Sequence, residues 1–147
     1  MLVERVLTLA RKKLVSIGDD ATVIQAAAVL GNEHTNLIVV CNASGELVGV
    51  LSKTDIVKHI SHCRGHACTI SVSSVMSRDV ISCQTKDWLH DVWALMKART
   101  IQCIPVIDPG SKPLGILYAR DVLQALLTEV QDEEELLRDY VMSVGYH

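Results

Sequence analysis

This chain of 147 residues contains no phenylalanine, two tryptophans and three tyrosines. Its core must therefore be aliphatic, and hydrophobic residues, at 49% of the total, are abundant enough to build one. No apolar stretch reaches the roughly 18 unbroken residues of a membrane-spanning helix. Met1-Leu2-Val3-Glu4-Arg5 lacks the basic start, apolar run and small-residue cleavage site of a signal peptide. A cytoplasmic location with no membrane partner is expected. A net charge of −3 does not suit a general nucleic-acid surface, which needs a clustered basic face. Catalytic patterns are also missing: there is no GxxxxGK(S/T) phosphate loop, and no recognisable Ser/His/Asp, Cys/His or paired-carboxylate arrangement. The chain is not expected to be an enzyme. The five cysteines cannot all pair within one chain, and free thiols are the reading for a reducing compartment.

What is present is a repeat. Gly115-Ile116-Leu117-Tyr118-Ala119-Arg120-Asp121 follows Gly49-Val50-Leu51-Ser52-Lys53-Thr54-Asp55 by 66 positions. The same shift pairs Leu14-Val15-Ser16-Ile17 with Val80-Ile81-Ser82-Cys83, and Ile38-Val39-Val40 with Ile104-Pro105-Val106. One shift that aligns several separate segments indicates duplication. Each half reads as strand, helix, strand, strand, helix. In the first, Leu14 to Ile17 is a strand, and Gly18-Asp19-Asp20 suits a turn and helix N-cap. A helix over Thr22 to Leu30 follows, with Val23, Ala26, Ala27 and Leu30 on one face. Leu37 to Cys41 is a strand buried on both faces, Asn42-Ala43-Ser44-Gly45 a hairpin turn, and Leu47 to Leu51 the returning strand. A helix from Ser52 or Lys53 to about Ile60 closes the unit. In the second half the helix runs from about Asp87 to Ala98, and Pro109-Gly110 makes the turn.

In this order, Val72-Ser73-Ser74-Val75-Met76-Ser77, Ile104-Pro105-Val106-Ile107-Asp108 and the two Gly-to-Asp runs resemble a tandem pair of CBS domains. Such a pair, named after cystathionine β-synthase, is often called a Bateman module. The resemblance implies an α/β (α+β) fold of two β-α-β-β-α repeats with pseudo-two-fold symmetry, plus a C-terminal helix. Repeat 1 is placed at 1–62, a linker at 63–71, repeat 2 at 72–128 and a helical tail at 129–147. It also implies two clefts between the repeats that hold AMP, ADP, ATP, NAD or S-adenosylmethionine.

A carboxylate at a helix start can accept hydrogen bonds from both ribose hydroxyls, each worth about 1.5–3 kcal/mol when one partner is charged. Asp55 and Asp121 are the candidates, and the glycine six residues before each permits close ligand approach. Ser52, Thr54 and Arg120 are candidates for phosphate, which the first turn of a helix favours. Adenine would lie near Ile17, Leu37 and Ile38, or near Cys83, Cys103, Ile104 and Pro105. Each has a plainer reading: the aspartates as N-caps, Arg120 as a surface ion-pair partner, and Cys83 and Cys103 as packing residues. Tyr118, where the first half has Ser52, could stack on a ligand or block its cleft. Unequal sites are expected.

Between the halves, His59, His62, Cys63, His66 and Cys68 put five potential metal ligands into ten residues. Their chemistry suits zinc or copper, but the spacing matches no established zinc pattern, and a polar linker is the alternative. The stripe of Leu136, Leu137, Tyr140, Val141 and Val144 fits a core-packing helix or a homodimer contact. The function expected is a regulatory adenine-nucleotide sensor that acts in trans on an unidentified protein partner. The alternatives are a structural dimerisation subunit with vestigial clefts and a metal-binding regulatory protein.

Overall fold

The protein is described by a computed structural model covering residues 1–33, 35–61 and 70–145, with side chains to residue 142. A 3-10 turn (Val3–Val6) and the short helix α1 (Leu7–Lys12) precede β1 (Ser16–Gly18). Gly18-Asp19-Asp20 turns the chain, with the Asp19 amide donating to the Cys41 carbonyl at 2.9 Å. It does not cap the next helix, because Thr22 does. Thr22 Oγ1 accepts from the Gln25 amide at 3.2 Å and Gln25 Oε1 accepts from the Thr22 amide at 2.9 Å, a capping box. Helix α2 (Val23–Glu33) buries Val23, Ala26 and Leu30. Strand β2 (Leu37–Cys41) lies between β1, parallel to it, and β3 (Leu47–Ser52), antiparallel. Helix α3 (Lys53–Ser61) closes the first unit.

A 3-10 turn at Val72–Ser74 leads to α4 (Leu89–Arg99), β4 (Cys103–Ile107), β5 (Pro113–Tyr118) and α5 (Ala119–Gly145). The two hairpin turns are chemically equivalent. Asn42 Oδ1 accepts from the Ser44 and Glu46 amides at 3.0 Å, and Asp108 Oδ1 accepts from the Gly110 and Lys112 amides at 2.9 Å. The left-handed residue is Gly45 (φ 82°) in one and Ser111 (φ 64°) in the other. The first strand of the second unit, expected over Val80 to Cys83, shrinks to a single bridge at Cys83. Its loss has a covalent cause. In the first unit the Val39 amide donates to Val15 at 2.9 Å; the equivalent residue, Pro105, has no N–H to give.

The units exchange their leading segments. Val3 and Ala10 are buried in the core of the second unit, with Leu89, Met96 and Leu117. Val72 and Met76 are buried in the core of the first, with Ala26, Ile38 and Leu51. Backbone bonds repeat the exchange: Leu89 amide to Met1 carbonyl and Val23 amide to Ile70 carbonyl, each 2.9 Å. Glycine is required where the crossing segments pass. A Cβ on Gly115 would lie 2.7 Å from Ala10 Cβ, and one on Gly49 would lie 2.5 Å from Met76 Sδ. These glycines admit a neighbouring segment.

Val39, Pro105 and Ile116 are buried but belong to neither core. Strand alternation turns Val39 away from Ile38 and Val40, onto the face each sheet turns towards the other unit. The Leu47 amide donates to the Ser111 carbonyl across this junction at 2.8 Å. Helix α5 runs unbroken through the expected boundary at residue 129. Its distal part is not a core-packing helix: Leu136, Leu137, Tyr140 and Val141 are 63–69% exposed.

Candidate ligand clefts

Two strand-to-helix joints hold the sequence-derived candidates, and their surroundings differ. At the first, Ser52 ends β3 and Asp55 lies in the first turn of α3. Asp55 Oδ2 accepts from the Ser52 amide at 3.0 Å and from Ser52 Oγ at 2.9 Å, while the Asp55 amide donates to Ser52 Oγ at 3.2 Å. Ser52, not Asp55, is thus the N-cap, and Asp55 is its capping-box partner three residues on, a carboxylate that retains further acceptor sites. A shallow cleft of about 350 Å³ beside Asp55 is lined by Lys58, His59, Ser74 and Val75. Thr54 is exposed.

At the second joint, Asp121 forms an ion pair with Lys13, 108 residues away in sequence. The Lys13 ammonium also lies 4.7 Å from the centre of the Tyr118 ring, within cation–π range. The Tyr118 hydroxyl lies 3.1 Å from Oγ1 of Thr35, a side chain buried in the first unit, and Thr35 Oγ1 donates to the Leu37 carbonyl at 3.1 Å. The Thr35 proton is committed there, so Tyr118 is the donor. Tyr118 therefore spans the units and lines two clefts. One lobe of about 320 Å³ is lined by Asn36, Gln102, Tyr118, Ala119 and Arg120. The other, about 290 Å³, is lined by Lys12, Lys13, Leu14, Val15, Glu33, Thr35, Asn36, Tyr118 and Arg120.

The proposed adenine contacts fall into two groups. Ile17, Leu37 and Cys103 are partly exposed. Ile38, Cys83, Ile104 and Pro105 are buried, the first three inside the cores. Their side chains are committed to packing, so only their backbone could meet a ligand. Burial pushes the Cys83 thiol up to about 12, with Asp87 adding to the shift. Cys103 is also raised by burial, against the opposing effect of Lys13. Residues not singled out from sequence are Lys12, Lys13, Thr35, Asn36 and Gln102. Asn36 and Gln102 share the 66-residue shift and act alike, their carbonyls accepting from the Lys53 amide at 3.3 Å and the Ala119 amide at 2.8 Å. Of the potential metal ligands, His59 is half-buried in α3, with Nε2 unpartnered among the described residues. His62, Cys63, His66 and Cys68 lie outside the described residues. No group of three or more His, Cys, Asp or Glu side chains that could hold a metal occurs among the described residues. Nor is any described helix long and apolar enough to cross a membrane.

A β-α-β-β-α unit and a second copy whose first strand is reduced to one bridge, each with a carboxylate where its last strand meets its last helix, make a duplicated regulatory-type module. The CBS domain family matches residues 3–62 and 72–128, and the chain belongs to it. The chain is 23% identical to homoserine O-acetyltransferase of Methanococcus vannielii over 85% of its length, but spans only 25% of that enzyme. It is 24% identical to protein MJ1225 of Methanocaldococcus jannaschii over 93% of its length, spanning 54% of that protein. Among solved structures, the CBS-domain protein ATU1752 from Agrobacterium tumefaciens superposes with a TM-score of 0.73 at 26% identity, covering 85% of this chain and 98% of that one. The CBS domain pair of protein MJ0100, in complex with 5′-methylthioadenosine and S-adenosyl-L-methionine, gives 0.73 at 21% identity, covering 88% and 98%.

Proposed function

We propose that this chain is a regulatory module that binds an adenosine-containing ligand in the cleft at Asp121 and passes the binding to a protein partner in trans. The observation that carries the reading is Asp121 itself, a carboxylate at a strand-to-helix joint, beside a groove lined by both units. A ligand seated there touches both units at once, so its affinity depends on their relative placement. That dependence is what lets a ligand shift a conformational equilibrium. The adenosine ligands of the MJ0100 pair support the ligand class. Thermal denaturation with AMP, ADP, ATP, NAD, S-adenosylmethionine and 5′-methylthioadenosine tests it. A ligand at 100 times its dissociation constant adds about 2.7 kcal/mol of stability. Unchanged melting with all six rejects the reading.

A second reading, a homodimer, rests on exposed apolar side chains at equivalent positions of the closing helices. Val57 is 64% and Leu123 39% exposed, with Ile60 and Leu127 nearby on their respective helices. Light scattering should give a mass of two chains, reduced to one by Val57→Asp with Leu127→Asp. A monomeric wild-type protein removes this reading.

A further inference from the structure

We infer that the distal part of α5 is an interaction surface for a second copy of this chain, the two helices pairing in parallel as a short coiled coil. The proposal goes beyond the homodimer face formed by α3 with the start of α5, and it does not require α3. From Gln131 to Met142 every side chain is exposed, so about 18 Å of helix stands clear of both cores. A helix of that length without a partner is marginal in water. Its apolar side chains follow a rule. Leu123, Leu127, Val130, Leu137 and Val141, between 39% and 64% exposed, recur at alternating steps of four and three, with Glu134 in the one remaining place. That is the seam of a heptad repeat, with Leu123, Val130 and Leu137 at d and Leu127, Glu134 and Val141 at a.

The flanking charges select the partner. Glu133 falls at g and Arg138 at e, five residues apart. In a parallel pair the g side chain of one helix meets the e side chain five residues on in the other. Two copies in register therefore form this ion pair twice, once on each side of the seam. An antiparallel pair sets g against g and e against e, and loses both. Val141 at a with Leu137 at d is also the combination that favours two parallel strands. Glu134 sets two like charges in one layer of the seam, which weakens the pair and makes it reversible.

Sedimentation equilibrium on the full chain tests the inference. Wild type should dimerise reversibly. Leu137→Asp with Val141→Asp, at exposed positions outside both cores, should raise the dissociation constant about tenfold or more. Glu134→Leu should lower it by a similar factor. Glu133→Lys should raise it roughly fivefold, and adding Arg138→Glu should restore it. Under oxidation Leu137→Cys should cross-link two chains, whereas Leu136→Cys, one step off the seam, should match wild type. An unchanged constant in the Leu137→Asp, Val141→Asp variant or in Glu134→Leu overturns the inference. So does a charge swap that fails to restore affinity, or no cross-link at residue 137. The homodimer reading survives any of these if Val57→Asp with Ile60→Asp separates the chains. If that α3 variant stays dimeric while the distal variant dissociates, the homodimer reading fails and the coiled coil stands. A monomeric wild type removes both.

Discussion

Cys83 and Lys13 carry the two sharpest consequences at the scale of single residues. The Cys83 thiol, buried against the second core, is pushed from the ordinary value of 9.0 up to about 12 by burial and by the nearby Asp87 carboxylate. A thiol whose pKa is higher folded than unfolded contributes stability that is full below the unfolded value. It is lost as pH rises from about 9 towards about 12. Melting temperature measured across that range should fall more steeply in wild type than in Cys83→Ala. Parallel curves would show that the thiol is not protected. The same burial keeps the thiolate fraction low, as suits a packing residue. Lys13 could not be assigned a role from sequence, because its partner is 108 residues away. Tyr118 could be placed, but its hydroxyl partner, Thr35 of the other unit, could not.

Elements behave differently according to what crosses them. Strands β3 and β5 each admit a foreign segment at a glycine, Gly49 and Gly115 respectively. Alanine at Gly115 would press on the backbone of Ala10, which cannot move alone, whereas at Gly49 the nearest atoms belong to the flexible Met76 side chain. Overpacking of this kind costs about 1–3 kcal/mol. Urea denaturation should place Gly115→Ala towards the upper end and Gly49→Ala below it; the reverse order would contradict the contacts. Helices were the most legible elements. Helix α3, expected from Ser52 or Lys53 to about Ile60, spans Lys53–Ser61, because a strong apolar period sat beside a clear start signal. The Val80-to-Cys83 strand was the least legible. Its sequence is as β-prone as its counterpart, and the missing bond belongs to Pro105 on the neighbouring strand.

For the whole molecule, the exchanged segments make the two repeats mutually dependent. Residues 1–69 alone would lack Val72 and Met76, and residues 70–147 alone would lack Val3 and Ala10, all of them core side chains. Each fragment by itself is expected to show little secondary structure by circular dichroism. Mixing the two should restore it, with a melting transition absent from either fragment. Independent folding of either piece would show that the exchange contributes little. Intact protein should unfold in a single transition, since neither core is complete without the other unit's segment. The exchange also brings Lys13, just beyond α1, to the Asp121 joint, so one topological feature serves both stability and the candidate site.

The sequence by itself determined the duplication, the order of elements short of the second half's first strand, and the two carboxylates in step at Asp55 and Asp121. All of these depend on period, turn chemistry and spacing, which are local properties of the chain. Only the tertiary structure decided which core each leading segment enters, that the two glycines face backbone and side chain from the other unit, and that Lys13 holds Asp121 while Ser52 holds Asp55. Those outcomes depend on which distant surfaces meet. Two joints of the same local pattern became unlike because one turns its carboxylate to its own helix cap and the other to a lysine from the opposite repeat.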